Sequence, residues 1–184
     1  LWQPDATLRR GDLGIYFLEP YRSDRIPVLF VHGIGGSPRD FSKIIGAMDH
    51  SRYQAWVFDY PSGFRLGKAA NAMNTILDLL LRKYGISRIH FVAHSMGGLV
   101  ARSAILRLQS DFGLSPVDKF VALSTPWGGD GAADGASSMK YAIPAWIDMN
   151  PGSAFLKARW AKQLPPTLQF HMIYGYDSKR LPWL

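Results

Sequence analysis

The stretch FVAHSMGG, residues 91–98, carries the strongest structural signal in the chain. It starts as an apolar strand, turns at Ser95, and continues through two glycines into a segment with helical spacing of its apolar residues. A serine at the tip of such a turn is held in a strained conformation that projects its hydroxyl above the sheet edge. Ala93 and Gly97 are small, as a close crossing of strand and helix requires. The stretch therefore predicts a nucleophilic serine on an α/β sheet.

Short apolar runs recur on both sides of this unit, and helical patterns separate them. Runs that are apolar on both faces are typical of parallel strands covered by helices on both sides. We expect strands at residues 28–31, 55–58, 89–93, 120–123 and 170–174. The alternation predicts a doubly wound, mostly parallel α/β sheet with right-handed crossovers. Residues 15–18 are expected to add an antiparallel edge strand.

Three helices are predicted between these strands. The first follows an N-cap serine and a proline at residues 37–38. The second spans residues 66–84 and is followed by Gly85, a favourable C-cap. Its apolar stripe is predicted to consist of Leu66, Ala70, Met73, Leu77, Leu80 and Tyr84. The third begins at Met96 and runs toward Leu108. The apolar face of the first helix is predicted to consist of Phe41, Ile44, Ile45 and Met48.

Composition limits the classes to which the protein can belong. The 184 residues are 47% hydrophobic and 19% charged, a balance that favours one globular domain spanning residues 1–184. No apolar run reaches the ~20 residues that a membrane helix needs. The net charge of +7 comes from scattered Lys and Arg residues, so we expect no nucleic-acid partner. The absence of cysteine excludes disulfides and thiol catalysis.

The connection between the last two predicted strands is longer than a single crossover needs. It opens with glycines, continues with Met and aromatic residues, and suggests a lid-like or cap-like insertion over residues 128–166. The alternative is that these aromatic residues only pack the connection onto the sheet. Asp130 and Asp134 lack the spacing of a calcium loop, so no metal site is expected.

A second motif, residues 32–36 (HGIGG), directly follows the predicted strand 28–31. A glycine-rich turn at this place is able to aim a backbone N–H at the oxyanion of a tetrahedral intermediate. We predict that Ile34 and Met96 supply the two oxyanion-hole N–H groups, since Met96 follows the nucleophile. A phosphate-binding loop is the alternative, but the Lys-Ser/Thr that it requires after the glycines is absent.

Together, residues 32–36 and 93–98 resemble the corresponding motifs of the α/β-hydrolase superfamily. The chain is most similar to small bacterial serine lipases and esterases and to lipase-like inositol deacylases. Residues 124–129 and 148–156 are similar to a Thr-Pro turn and a lid segment of such lipases. The resemblance implies hydrolysis of an ester or lipid without a cofactor, and contact with a lipid surface. Acyl transfer or thioester hydrolysis by the same serine stays an alternative.

A catalytic triad of this kind also needs a histidine base and an acid, in the chain order serine, acid, histidine. None of the five histidines is a credible base, and His171 lies inside a predicted strand. Asp177, directly after the last predicted strand, is the candidate acid, with Asp148 as a weaker candidate. We therefore expect the domain to be C-terminally incomplete, with the base beyond Leu184. A binding module without catalytic activity stays open as a third reading.

Overall fold

The computed structural model describes residues 13–113, 115–133 and 143–175. Within these ranges the strands are β1 (Gly14–Phe17), β2 (Ile26–Val31), β3 (Tyr53–Asp59), β4 (Ile89–His94), β5 (Val117–Leu123) and β6 (Gln169–Ile173). The helices are a 3₁₀ helix (Pro38–Phe41), α1 (Ser42–Gly46), α2 (Leu66–Tyr84), α3 (Met96–Phe112), α4 (Pro144–Met149) and α5 (Ala154–Trp160). None of these helices combines the length and the apolar character needed to cross a membrane.

The strands form one sheet in the order β1-β3-β2-β4-β5-β6. β1 runs antiparallel to β3, and the other neighbouring strands are parallel. The doubly wound α/β fold and its antiparallel edge strand are therefore confirmed. The parallel arrangement brings the carboxyl ends of β2, β4 and β5 to one edge of the sheet, where the two sequence motifs follow their strands.

One face of the sheet, the helical face, packs against α2 and α3. Its side chains include Leu29, Phe91 and Phe120, which lose all contact with solvent. The predicted apolar stripe of α2 is part of this core, and α2 ends at Gly85 in the left-handed conformation as expected. The helical face therefore holds most of the buried apolar side chains in the described part of the chain.

The opposite face, the open face, packs against the 3₁₀ helix and α1. Phe41 is buried there against Phe30, but the predicted apolar face of this first helix is only partly right. α1 ends at Gly46, before Met48, and Ile44 is 45% exposed. The side chain of Ile44 lines a groove of about 520 Å³ above β2, β4 and β5. No helix in the described ranges covers that part of the sheet.

β6 also departs from the prediction in its burial. Its apolar run predicted a strand buried on both faces, but every residue from Gln169 to Ile173 is exposed. The reason is its position, because β6 is the edge strand of the described sheet and pairs on one side only, with β5. The apolar pattern located the strand correctly without revealing which neighbours it has.

Candidate functional site

Ser95 stands between β4 and α3, at the tip of the predicted turn. Its backbone adopts φ 52° and ψ −131°, a conformation that residues other than glycine rarely take. The N–H of Ser95 donates to the carbonyl of Leu123 at the end of β5, 2.8 Å away. Gly98 N–H in turn donates to the Ser95 carbonyl. These bonds tie the strained turn to the neighbouring strand and leave the half-buried serine at the sheet edge.

Gly97 shows why the turn needs small residues. A Cβ atom at this position would overlap the carbonyl oxygens of Val31 and His32 at the end of β2. Backbone atoms cannot yield as a flexible side chain does, so the first turn of α3 lies directly against β2. The crossing expected from the sequence is therefore present.

The glycine-rich turn after β2 lies against the candidate nucleophile. A Cβ atom on Gly33 would stand 2.9 Å from Ser95 Cβ and 3.3 Å from its Oγ. The turn is closed by a bond from Gly36 N–H to the Gly33 carbonyl. Ile34 is partly buried, and its backbone N–H has no acceptor among the described residues. The structure thus brings the Ile34 turn and Ser95 together.

Met96 is the first residue of α3, and its side chain is fully buried on the helical face. Backbone N–H groups in the first turn of a helix lack an intrahelical acceptor. They also carry the positive end of the helix dipole, which favours negative charge beside them. The candidate donors Ile34 and Met96 therefore belong to two chain segments that meet at Ser95.

Two residues that the sequence motifs did not indicate hold the turn from the side of β3. Tyr60 directly follows β3 and donates its hydroxyl to the His32 carbonyl at 2.7 Å. Ser62 Oγ accepts a bond from Gly35 N–H at 2.9 Å. The available sequence signal is position, since both residues follow a parallel strand that neighbours β2. Position alone does not say what their side chains contact.

The His32 side chain is buried and takes part in the packing of the turn. Its Nδ1 donates to the Gly33 carbonyl at 3.0 Å, and its Nε2 lies 3.4 Å from Asp59 Oδ1. Burial raises the pKa of Asp59, and the neighbouring His32 acts in the opposite direction. These contacts place the His32 side chain at the junction of β2 and β3, against Gly33, Asp59 and Tyr60.

The other histidines lie elsewhere on the sheet or its connections. His171 is in register with Val121 of β5, which in turn is in register with Val92 of β4. His171 is therefore three residues short of the level of Ser95. His94 ends β4 on the exposed side, and His50 contacts the Ile45 carbonyl. No hydrogen bond among the described residues joins a histidine to Ser95.

The candidate acids have different outcomes. Asp177 lies outside the described residues, as does Asp134. Asp148, the weaker candidate, is buried in α4 and accepts bonds from Arg65 Nη1 at 2.7 Å and from Leu66 N–H at 2.8 Å. Its carboxylate therefore fixes α4 to the start of α2. Asp130 accepts a bond from Ala132 N–H in its own turn.

The connection between β5 and β6 leaves the sheet edge beside Ser95. Ser124 has φ 48°, so the neighbouring strands β4 and β5 are each followed directly by a serine with a positive φ. Further along, Trp160 Nε1 donates to the Trp127 carbonyl, and the Arg102 guanidinium lies 4.7 Å from the Trp160 ring centroid. Trp127 packs edge-on against Phe120 and Phe170. Trp127 therefore packs onto the sheet, and Trp160 is joined to it, with half of the Trp160 side chain exposed.

Comparison with known sequences identifies relatives of this chain. Residues 26–157 match the alpha/beta hydrolase fold family. A lysosomal thioesterase of Xenopus laevis is 25% identical over 106 residues, which cover 54% of this chain and 35% of that protein. The chain thus spans about a third of the length of this curated relative.

Solved structures of hydrolases share the fold. The mature form of a Bacillus licheniformis lipase has a TM-score of 0.66 at 20% identity, with 88% of this chain and 71% of that chain covered. A metagenomic carboxyl esterase has a TM-score of 0.66 at 14% identity, covering 86% and 52%. A Legionella pneumophila phospholipase has a TM-score of 0.61 at 16% identity, covering 84% and 41%. With the sequence match over most of the chain, these likenesses lead to one conclusion: the chain belongs to the alpha/beta hydrolase fold family.

Proposed function

We propose that the protein hydrolyses carboxylic esters through an acyl-enzyme on Ser95. The observation that carries this proposal is the strained turn at Ser95, with the Gly33 turn packed against its side chain. A left-handed serine costs free energy that an ordinary strand–helix connection avoids, and such strain is concentrated at functional sites. The lipase and esterase structures with the same fold agree with this chemistry.

In the proposed reaction, Ser95 Oγ attacks the ester carbonyl carbon and gives its proton to a general base. The tetrahedral intermediate carries an oxyanion, which accepts hydrogen bonds from the N–H groups of Ile34 and Met96. Breaking of the carbon–oxygen bond releases the alcohol, which takes the proton from the base. Water then attacks the acyl-enzyme and releases the carboxylic acid. Each oxyanion donor of this kind typically contributes ~3 kcal/mol to transition-state stabilisation.

The connection over residues 128–166 is proposed to cover the site as a lid-like insertion. Two contacts join it to the loop beside the Ile34 turn. Ala145 N–H donates to the Gly63 carbonyl at 3.2 Å, and Asp148 binds Arg65. Because Phe64 and Ile143 are exposed on the two sides of this junction, we propose a hydrophobic acyl group or lipid as substrate. Asp177 is proposed as the triad acid.

Fluorophosphonate labelling of the complete gene product tests the proposal. The probe phosphonylates serines that an adjacent base activates, and intact-protein mass spectrometry counts the additions. We expect one addition to the wild type and none to Ser95→Ala, with p-nitrophenyl butyrate hydrolysis reduced more than about a thousandfold. Ser103→Ala is the matched control, because Ser103 lies buried in the same helix α3 and should leave labelling unchanged. Labelling that persists in Ser95→Ala would refute Ser95 as the nucleophile, and no labelling of the wild type would favour a binding module.

Thioester hydrolysis is a second candidate, and the sequence similarity to the Xenopus laevis lysosomal thioesterase favours it. The same acyl-enzyme would form, with a thiol rather than an alcohol as leaving group. Rates on butyryl thioester and oxygen ester substrates of equal acyl length separate the two activities. An acyltransferase would be revealed by competition between water and an added alcohol for the acyl-enzyme.

A further inference from the structure

The loop after β3 makes side-chain contacts with the glycine-rich turn at residues 32–36. Tyr60 is 4% exposed, and its ring stacks on the His32 ring with 4.4 Å between centroids. The same ring also stacks on the Phe58 ring, with 4.9 Å between centroids. Two neighbours therefore fix the direction of the phenol, and its hydroxyl ends 2.7 Å from the His32 carbonyl oxygen.

That carbonyl belongs to the peptide between His32 and Gly33, the residue that contacts Ser95. On its other side, the His32 carbonyl faces Gly97 at the start of α3. Rotation of this peptide would move Gly33 relative to Ser95 and turn the next peptide, which carries the Ile34 N–H. The Tyr60 hydroxyl therefore restrains the peptide that precedes the one carrying the Ile34 N–H, and the Gly33 carbonyl of that next peptide accepts bonds from Gly36 N–H and His32 Nδ1.

Ser62 restrains the far side of the same turn. Its Oγ accepts the Gly35 N–H bond, one residue beyond the predicted donor Ile34. Gly35 itself has φ 64° and no atoms near the position of an added Cβ, so side-chain packing does not hold it. The turn is thus held at both ends by hydroxyl groups from one short loop.

We propose that Tyr60 and Ser62 are positioning residues, which hold the Ile34 N–H in the direction that an oxyanion on the substrate requires. This inference rests on the proposed function of Ser95. Oxyanion donors act because they are oriented before the reaction, and a small misalignment weakens the bond in the transition state more than in the ground state. Neither hydroxyl needs to touch the substrate. Removing either hydroxyl group should therefore lower kcat and leave KM nearly unchanged.

The test measures kcat, KM and transition-state analogue affinity for Tyr60→Phe and Ser62→Ala in the complete gene product. Removing an oxyanion donor outright costs 10²- to 10³-fold, so a donor left in place but misdirected should cost about tenfold in kcat. We expect Tyr60→Phe to lower kcat by about this factor with KM within about twofold, and Ser62→Ala to act in the same direction with a smaller factor. Affinity for a trifluoromethyl ketone analogue, whose hemiketal oxygen occupies the oxyanion position, should fall in parallel with kcat/KM.

Tyr21→Phe is the matched control, because the Tyr21 hydroxyl also donates to a backbone carbonyl, that of Tyr84, but at the opposite edge of the sheet. It should lower thermal stability without changing kcat. Unchanged kcat in both Tyr60→Phe and Ser62→Ala would overturn the inference while Ser95-dependent activity stands. If Tyr60→Phe does not fold, Ser62→Ala decides, since Ser62 is only half-buried and its bond to Gly35 N–H is exposed. If the wild type shows no activity that depends on Ser95, the proposed function itself is refuted.

Discussion

The helical face and the open face of the sheet differ in how completely they are packed. Phe91 and Phe120 on the helical face are fully buried beneath α2 and α3. Val92 and Val121, their neighbours on the open face, line a groove of about 520 Å³. The turn at Ser95 belongs to the packed side, because α3 starts from it. In the described residues, the helix that starts at Ser95 therefore covers the more completely buried face of the sheet.

The largest expected difference between the helical face and the open face concerns stability, and side-chain truncations in two neighbouring strands measure it. Phe91→Ala removes a fully buried ring from the helical face and should lower the free energy of unfolding by about 3–5 kcal/mol. Val121→Ala on the open face removes a smaller side chain that is already partly exposed. We therefore expect it to lower the free energy of unfolding by about 1 kcal/mol or less. Urea unfolding measures both changes. Equal losses would show that the two faces contribute alike, and would contradict the comparison.

A second prediction concerns the point where α3 meets β2. Gly97→Ala places a Cβ against the carbonyl oxygens of Val31 and His32, and should destabilise the fold by about 1–3 kcal/mol. The same displacement would move the Ser95 turn, so fluorophosphonate labelling should also slow. Gly67→Ala in the first turn of α2 is the control, because no atom lies near its added Cβ. There, alanine should leave stability unchanged or raise it by up to about 1 kcal/mol. A neutral Gly97→Ala would mean that helix and strand are free to separate.

The smallest expected effect is a pH dependence on the open face, at His90 in β4. Burial lowers the pKa of His90, while Asp118, 3.9 Å from Nδ1, opposes this and the charges of Lys119 and Arg88 reinforce it. The Tyr53 ring also packs against the imidazole. The unfolded chain therefore binds more protons than the folded one below the ordinary histidine pKa of about 6.5. Stability should be complete above that pH and should fall as the pH drops below it.

Urea midpoints at pH 7.5 and 5.5 measure this dependence, with His90→Gln as the comparison variant. Because other groups titrate in the same range, the informative quantity is the difference between the two proteins. We expect a smaller loss on acidification in His90→Gln. An identical loss of stability on acidification in both proteins would show that His90 does not cause the pH dependence.

Much of the fold followed from the sequence because it depends on local pattern. Each predicted parallel strand is present, but most are longer than their apolar runs. Polar residues such as Gln54 and Asp118 occupy the early positions of β3 and β5, where they interrupt the apolar pattern without interrupting the ladder. The helix α2 was predicted with both its ends, because an amphipathic stripe and a terminal glycine are local signals.

The mistaken predictions concern neighbours that are distant in the sequence. Ile44 has the spacing of a buried residue, yet α1 stops before completing its apolar face, and Ile44 stays at the rim of the groove. The apolar run of β6 predicts a buried strand, but its burial depends on the neighbouring strands and on the helices that cover it. An apolar pattern reports that a residue is suited to a core, whereas exposure depends on the packing partners that the fold supplies.

For the candidate site, the serine turn and the glycine-rich turn were both predictable from the sequence. Both are short motifs with backbone requirements that only a few residue types meet, so the places of Ser95, Met96 and Ile34 in the two turns were predictable, whereas their catalytic roles stay predictions. The hydrogen bonds from Tyr60 and Ser62 to the glycine-rich turn, and those of the Asp148 carboxylate at the start of α2, became visible only in the folded chain. Tyrosine, serine and aspartate serve many purposes in proteins. Which purpose applies depends on the atoms that the folded chain brings within hydrogen-bond distance.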